Sequence, residues 1–345
     1  MQIAKDSASK FDRFVAFSNF ELPLNYALKI TMADEEIVIN NRKMPIKIVT
    51  QWITSIRPCE LNNFAKILDE NIKIRSNDSE YVGLMNFLTK TGMSLVEVVE
   101  ASDLEYNEIK KKIINKVRKV KLFNVIDKSR EIILQNENGC NVLRYLLCKL
   151  NNKIIKRQMW NENNDKLSNL KLKFGCIPFD TMPFATSLPN HNPITTDLFE
   201  CICSDGREHE LLARHVNFNS INKGRLYTCI SDVKQYGDIE ELRKKFNREL
   251  YKTHQTRRLE VIGENIFISG YEEGSAEIIS KLLELTTKGI IGYTNTMDEW
   301  LVDNPDNVDC TEKKKILRVM FQSSRIAMIY GAAGTGKSRL IRHIS

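Results

Sequence analysis

Arg325-Ile-Ala-Met-Ile-Tyr-Gly-Ala-Ala-Gly-Thr-Gly-Lys-Ser-Arg-Leu-Ile-Arg-His343 decides how the chain is read. Its first six residues form an apolar run of strand character, and the residues from Arg339 onward start a helical pattern. Between them, Gly331-Ala-Ala-Gly-Thr-Gly-Lys-Ser338 fits G-x-x-x-x-G-K-[ST]. Gly331, Gly334 and Gly336 permit backbone conformations closed to other residues, so successive N–H groups can turn inward on an anion. The partial positive charge at the start of the following helix adds to that field.

The run Ile329-Tyr-Gly-Ala-Ala-Gly-Thr-Gly-Lys-Ser338 resembles the Walker A segment of superfamily I helicases and related AAA-type ATPases, over about twenty of the 345 residues. That resemblance implies a P-loop built from Gly331, Ala332, Ala333, Gly334, Thr335, Gly336, Lys337 and Ser338. It implies ATP as the ligand, Lys337 on the β- and γ-phosphates, and the Ser338 hydroxyl on Mg²⁺. Gln322 is the nearest candidate for the adenine-contacting glutamine of such helicases.

Only seven residues follow Ser338. A complete P-loop fold needs further strands, one of them ending in the acid that holds Mg²⁺. The run Leu122-Phe-Asn-Val-Ile-Asp127 has an apolar-then-acid shape but lies in a basic helical block. The expectation is therefore the front portion of a longer ATPase, or a truncated product that does not hydrolyse by itself.

Outward from this motif, the 42% hydrophobic and 28% charged composition describes a globular chain rather than a fibre or a disordered tail. No apolar run approaches the roughly 20 residues of a membrane helix, and Met1-Gln-Ile-Ala-Lys-Asp6 lacks a secretory core. Eight scattered cysteines read as reduced thiols in a cytoplasmic protein. The fold class expected is α+β, a mixed helix-and-strand accessory region ahead of the first strand, P-loop and helix of an incomplete α/β domain. Its segments are 1–109 (mixed), 110–174 (basic and helical), 175–196 (Pro-rich connection), 197–309 (α/β accessory) and 310–345 (start of the ATPase domain).

The net charge of +7 conceals an asymmetry. Residues 110–173 hold 17 Lys/Arg against 5 Asp/Glu, an excess of 12, while the remainder holds 34 against 39. Ile109, Ile113, Val117 and Val120 fall at helical spacing, surrounded by Lys110, Lys111, Lys112, Lys116, Arg118, Lys119 and Lys121. With Phe123, Tyr145 and Trp160 interspersed, this block is the candidate contact for DNA or RNA phosphates, the alternative being a solvated face or an acidic protein partner.

Other elements follow from local signals. Glu36–Ile39 and Pro45–Val49 form a hairpin across Asn40-Asn41, and Ser94 with Glu97 forms a capping box. Prolines 178, 183, 189 and 193 exclude a long helix, while Phe179, Met182, Phe184 and Leu188 require the stretch to pack on something. Leu198–Cys203, Leu226–Ile230 and Ile262–Ile268 read as strands, and Gly289–Gly292 as a turn with a short strand. Asp238 with Glu241 caps a helix bearing Ile239, Leu242, Phe246 and Leu250, and Ala276–Leu285 is a further helix. Cys201 and Cys203 with His209 and His215 offer zinc-ligand types, although buried thiols and ordinary histidines are the simpler reading. Arg248 and His254 have the spacing of HEPN-type ribonucleases. The competing functions are thus a nucleic-acid- or protein-binding regulatory module with a vestigial P-loop, and a HEPN-like RNase.

Overall fold

A computed structural model describes residues 16–344 apart from Leu24, Lys116, Arg118, Asp309 and Thr335. Helix accounts for 53% and strand for 15%, with short sheets beside separate helices, so the class is α+β. The chain forms two compact units. The first is the described part of Met1–His215 with Val233–Tyr251; the second is Val216–Asp232 with the described part of Lys252–Ser345.

The first unit opens with β1 (Ala16–Phe17), β2 (Leu28–Ile39) and β3 (Arg42–Thr54), in the order β1-β3-β2. The asparagine turn forms as expected. Asn40 and Asn41 take φ of 48° and 59°, the left-handed pair whose twist matches an antiparallel hairpin. Ile39 faces Arg42 across it, and one β-bulge interrupts the register between Thr31 and Met32.

Helices follow: α1 (Pro58–Ile67), α2 (Ser79–Thr91), α3 (Leu95–Glu100), α4 (Asp103–Ile114), α5 (Leu122–Leu134), α6 (Cys140–Lys149) and α7 (Asn152–Gln158). The Ser94 box starts α3, with Ser94 Oγ accepting from Glu97 N at 3.2 Å and Glu97 Oε2 accepting from Ser94 N at 2.6 Å. One continuous core runs from Ile56 to Ile202. The Pro-rich stretch packs into it, with Phe179 and Phe184 fully enclosed and Tyr145 edge-on to Phe179 at 5.8 Å.

Buried carboxylates tie these helices together. Glu80, on α2, accepts from Lys121 N (3.0 Å) and Phe123 N (2.7 Å) at the start of α5. Asp180 accepts from Gly139 N, Asn141 N and Val142 N at 2.6–3.2 Å, at the start of α6. Glu60, on α1, accepts from Asn152 N at 3.2 Å, at the start of α7. Each satisfies N–H groups that a helix leaves open and places negative charge at its positive end. Burial pushes the Asp180 carboxyl up, and its three N–H donors oppose that shift.

The helix expected across Ile109–Val120 stops at Ile114. Ile109 and Ile113 are buried, whereas Val117 and Val120 are only half-buried. The chain must turn there so that the N–H groups of Lys121 and Phe123 reach Glu80. Next come β4 (Met159–Asn164), β5 (Leu170–Leu172), α8 (Ile177–Thr181), α9 (Thr195–Phe199) and α10 (Glu208–Lys223). Leu198–Cys203 is therefore no strand. Ile202 N donates to Leu198 O at 2.8 Å, and this helical turn directs Leu198, Cys201 and Ile202 inward together.

The remaining elements are β6 (Thr228–Cys229), α11 (Ile239–Glu249), β7 (Leu259–Ile262), β8 (Asn265–Ile268), α12 (Ser269–Thr286), α13 (Tyr293–Asp303), α14 (Thr311–Val319) and α15 (Lys337–Ile344). Asp238 caps α11 as expected, accepting from Glu241 N at 2.9 Å. Helix α12 includes the expected Ala276–Leu285. The expected strand at Leu226–Ile230 shrinks to β6. The one expected at Ile262–Ile268 is a hairpin, β7 and β8, turning at Gly263 with φ of 54°. Gly289–Gly292 carries no strand; it is the turn that leads into α13. In the second unit Met297, Val308 and Leu317 form a small core, and Tyr293 donates to Leu317 O at 2.6 Å.

Candidate functional site

The glycine-rich loop lies in the second unit. Gly334 and Gly336 sit at φ of 82° and 81°, conformations that a Cβ would strain. No atom lies within 4 Å of where a Cβ would stand on either, so backbone geometry rather than space calls for glycine. Helix α15 starts at Lys337, and Lys337 Nζ donates to Gly331 O at 2.7 Å and Ala332 O at 2.6 Å. The lysine thus closes the loop on itself at the head of a helix. Ser338 is exposed on the first turn, Ala333 lies in the turn leading into Gly334, and Thr335 is outside the described residues.

The strand expected at 325–330 does not form. These residues are non-helical and unpaired in any sheet, with Met328 at 82% and Tyr330 at 94% exposure. A strand exists through its neighbours' hydrogen bonds, and among the described residues no strand lies beside this one. Its entry is anchored, since Arg325 N donates to Leu285 O at 3.0 Å. Gln322, the adenine candidate, packs its backbone carbonyl against Gly289, where any Cβ would collide with it.

The basic block is less basic in space than along the chain. Lys128, Arg130, Arg144, Lys149 and Lys171 pair with Glu70, Asp103, Glu100, Asp197 and Asp69, all outside it. Glu200 also reaches Lys149, at 3.5 Å, so six imported carboxylates reduce the excess of 12 to 6. Lys110 is engaged within the block, at 2.6 Å from Asp127 Oδ2, and the Tyr106 hydroxyl donates to Asp127 Oδ1 at 2.7 Å. Asp127 is accordingly a helical ion-pair partner, not the end of a strand. Lys111, Lys112 and Lys119 are exposed and Lys121 is half-exposed. Lys116 and Arg118 fall outside the described residues.

Neither family models, curated proteins nor solved structures match the chain.

The weaker constellations resolve into local contacts. His209 is buried, its Nε2 at 2.9 Å from Glu249 Oε2. His215 Nδ1 lies 3.1 Å from the Tyr236 hydroxyl. Cys201 is buried, Cys203 is exposed, and no metal-holding group of three or more His, Cys, Asp or Glu exists among the described residues. Arg248 is an exposed residue of α11 in the first unit, 3.6 Å from the Glu249 carboxylate. His254 lies in a short 3₁₀ turn of the second, its pKa lowered by burial and then by Arg257. Sequence reasoning missed the buried carboxylates Glu60, Glu80 and Asp180. The signal that marks them, an acid on an otherwise apolar helix face, is visible only once the partner helix is known.

Proposed function

We propose that residues 331–338 bind the phosphates of a nucleoside triphosphate, ATP with Mg²⁺, in a helicase-like ATPase that acts on nucleic acid. The observation that carries this reading is the closed loop: two glycines at positive φ, with Lys337 folded over it at the head of α15. An ammonium held by two neutral carbonyls exchanges them favourably for phosphate oxygens, because charge-assisted bonds are the stronger. Lys337 would hold the β- and γ-phosphates, the N–H groups of the loop and first turn would surround them, and the Ser338 hydroxyl would reach Mg²⁺.

A second reading, nucleotide binding without turnover, is supported by the unpaired segment 326–330. Among the described residues no strand brings a carboxylate beside it. These 345 residues then bind ATP, and hydrolysis needs a complete sheet.

Titration with a fluorescent ATP analogue and Mg²⁺ tests both. The expected outcome is saturable binding, weakened about ten-fold or more by Lys337→Ala, with no phosphate release by this chain. An unsaturable titration, or one that Lys337→Ala leaves unchanged, removes the nucleotide reading; turnover removes only the second.

A further inference from the structure

The β4–β5 hairpin presents an aromatic side chain in a way its packing does not require. Met159 pairs with Leu172 and Asn164 with Leu170. Between those points β4 advances five residues and β5 only two, so Trp160–Asn163 bulges out of the ladder. Such bulges re-aim side chains. Two buried amides frame this one. Asn164 Nδ2 donates to Leu172 O at 3.0 Å and its Oδ1 accepts from Lys166 N at 3.1 Å. Gln158 Nε2 donates to Pro189 O at 3.0 Å.

The result is a Trp160 that is 45% exposed; Phe174 and Phe199 of the same unit are as exposed, but neither lines the cavity that Trp160 lines. Trp160 lines an open cavity of about 570 Å³ together with Asn161, Asn71, Lys66 and the Lys171–Asp69 pair. Glu70, also on its wall, is paired with Lys128. Both carboxylates are thus neutralised, and Lys66, in the last turn of α1, has no ion-pair partner among the described residues. The site offers an aromatic face, two amides able to meet a polar edge, and a surplus cation. A greasy peptide side chain would waste the amides, and an acidic one would waste the indole.

We propose that this cavity receives a base of single-stranded nucleic acid, stacked on Trp160, with the flanking phosphates drawn to Lys66. Stacking on an aromatic face suits any base and needs the strand unpaired. The inference rests on the nucleic-acid reading above but moves the contact from the Lys110–Lys121 segment to the hairpin.

Fluorescence anisotropy with labelled oligo(dA) and oligo(rA), against a duplex control, tests it on the full chain. Trp160→Ala is expected to weaken single-strand binding about ten-fold, and Trp160→Phe, which still stacks, only about two-fold. Lys66→Glu should weaken it and flatten its salt dependence by about one charge. Quenching of intrinsic fluorescence on binding should vanish in Trp160→Phe although Trp52 and Trp300 remain. If Trp160→Ala binds like the wild type while Lys111→Glu/Lys112→Glu/Lys119→Glu abolishes binding, the hairpin site is wrong and the nucleic-acid reading survives elsewhere. A duplex bound as tightly as the single strand also overturns the stacking site. A wild-type chain that retains neither oligonucleotide overturns both.

Discussion

Helix α5 has thirteen residues and buries seven of them; helix α12 has eighteen and buries none. The contrast extends to the units that hold them. The first encloses a core reaching from Ile56 to Ile202 and fastens its helix starts with Glu60, Glu80 and Asp180. In the second, α12 leaves Ile278, Ile279 and Leu283 each more than half exposed, and the core of α13 and α14 rests on Met297, Val308 and Leu317. Burial supplies most of what opposes chain entropy, so stability concentrates in the first unit. The glycine-rich loop proposed to bind nucleotide sits in the other. Segments that must rearrange around a ligand come from the low-stability end of a structure, and this division places the loop there.

The sharpest way to break the comparison is to cut both units equally. Phe179→Ala, in the sealed core, should cost about 3–5 kcal/mol. Leu283→Ala, on the open face of α12, should change stability by less than about 0.5 kcal/mol. Hydrogen exchange read by mass spectrometry resolves the two units, and protection should collapse in the first for Phe179→Ala. Equal losses from the two substitutions would mean that α12 is covered in solution.

Next in size is Asp180→Ala. It strips the partner from three buried N–H groups and should cost about 2–3 kcal/mol. Asp180→Asn keeps an acceptor oxygen and should recover part of that. The effect belongs at the start of α6, so exchange of Gly139–Leu143 amides should rise before that of α2. A loss spread evenly over the unit would show that Asp180 acts through general packing instead.

Such remote caps mark the limit of what the sequence discloses. The Asn40-Asn41 turn, the Ser94–Glu97 box and the Asp238 cap are encoded within a few residues, and each forms where its pattern lies. Leu198–Cys203 misled because a short apolar run fits a helical turn as well as a strand. The segment 325–330 misled for a different reason. Its strand character is a statement about neighbours, and the described residues supply none. The positive φ of Gly334 and Gly336 was legible because a contiguous motif encodes it. The basic block was only half legible. Its charge is countable, but the carboxylates of Asp69, Glu70, Glu100, Asp103, Asp197 and Glu200 reach it through folding. Trp160 could be named from the sequence, but its exposure depends on a bulge that no spacing announces.

The smallest expected effect separates the units by pH. Burial lowers the pKa of His191 and His209 in the first unit and of His254 in the second. The coulombic pull of Asp197 on His191 and of Glu249 on His209 opposes the shift without cancelling it. A histidine with a depressed folded pKa is held neutral by the fold, so the unfolded chain takes up its proton first. Stability from this source is complete above the unfolded value near 6.5 and is lost as pH falls below it toward the folded pKa. Each unit should therefore lose this histidine contribution between neutral and mildly acidic pH, while in the first unit the carboxyls of Asp180 and Glu210, pushed up by burial, act in the opposite sense. His191→Gln with His209→Gln should flatten that slope for amides of the first unit alone, and His254→Gln for the second alone. Should one pair of substitutions flatten both, the units would be unfolding together, and the comparison between them would lose its energetic meaning.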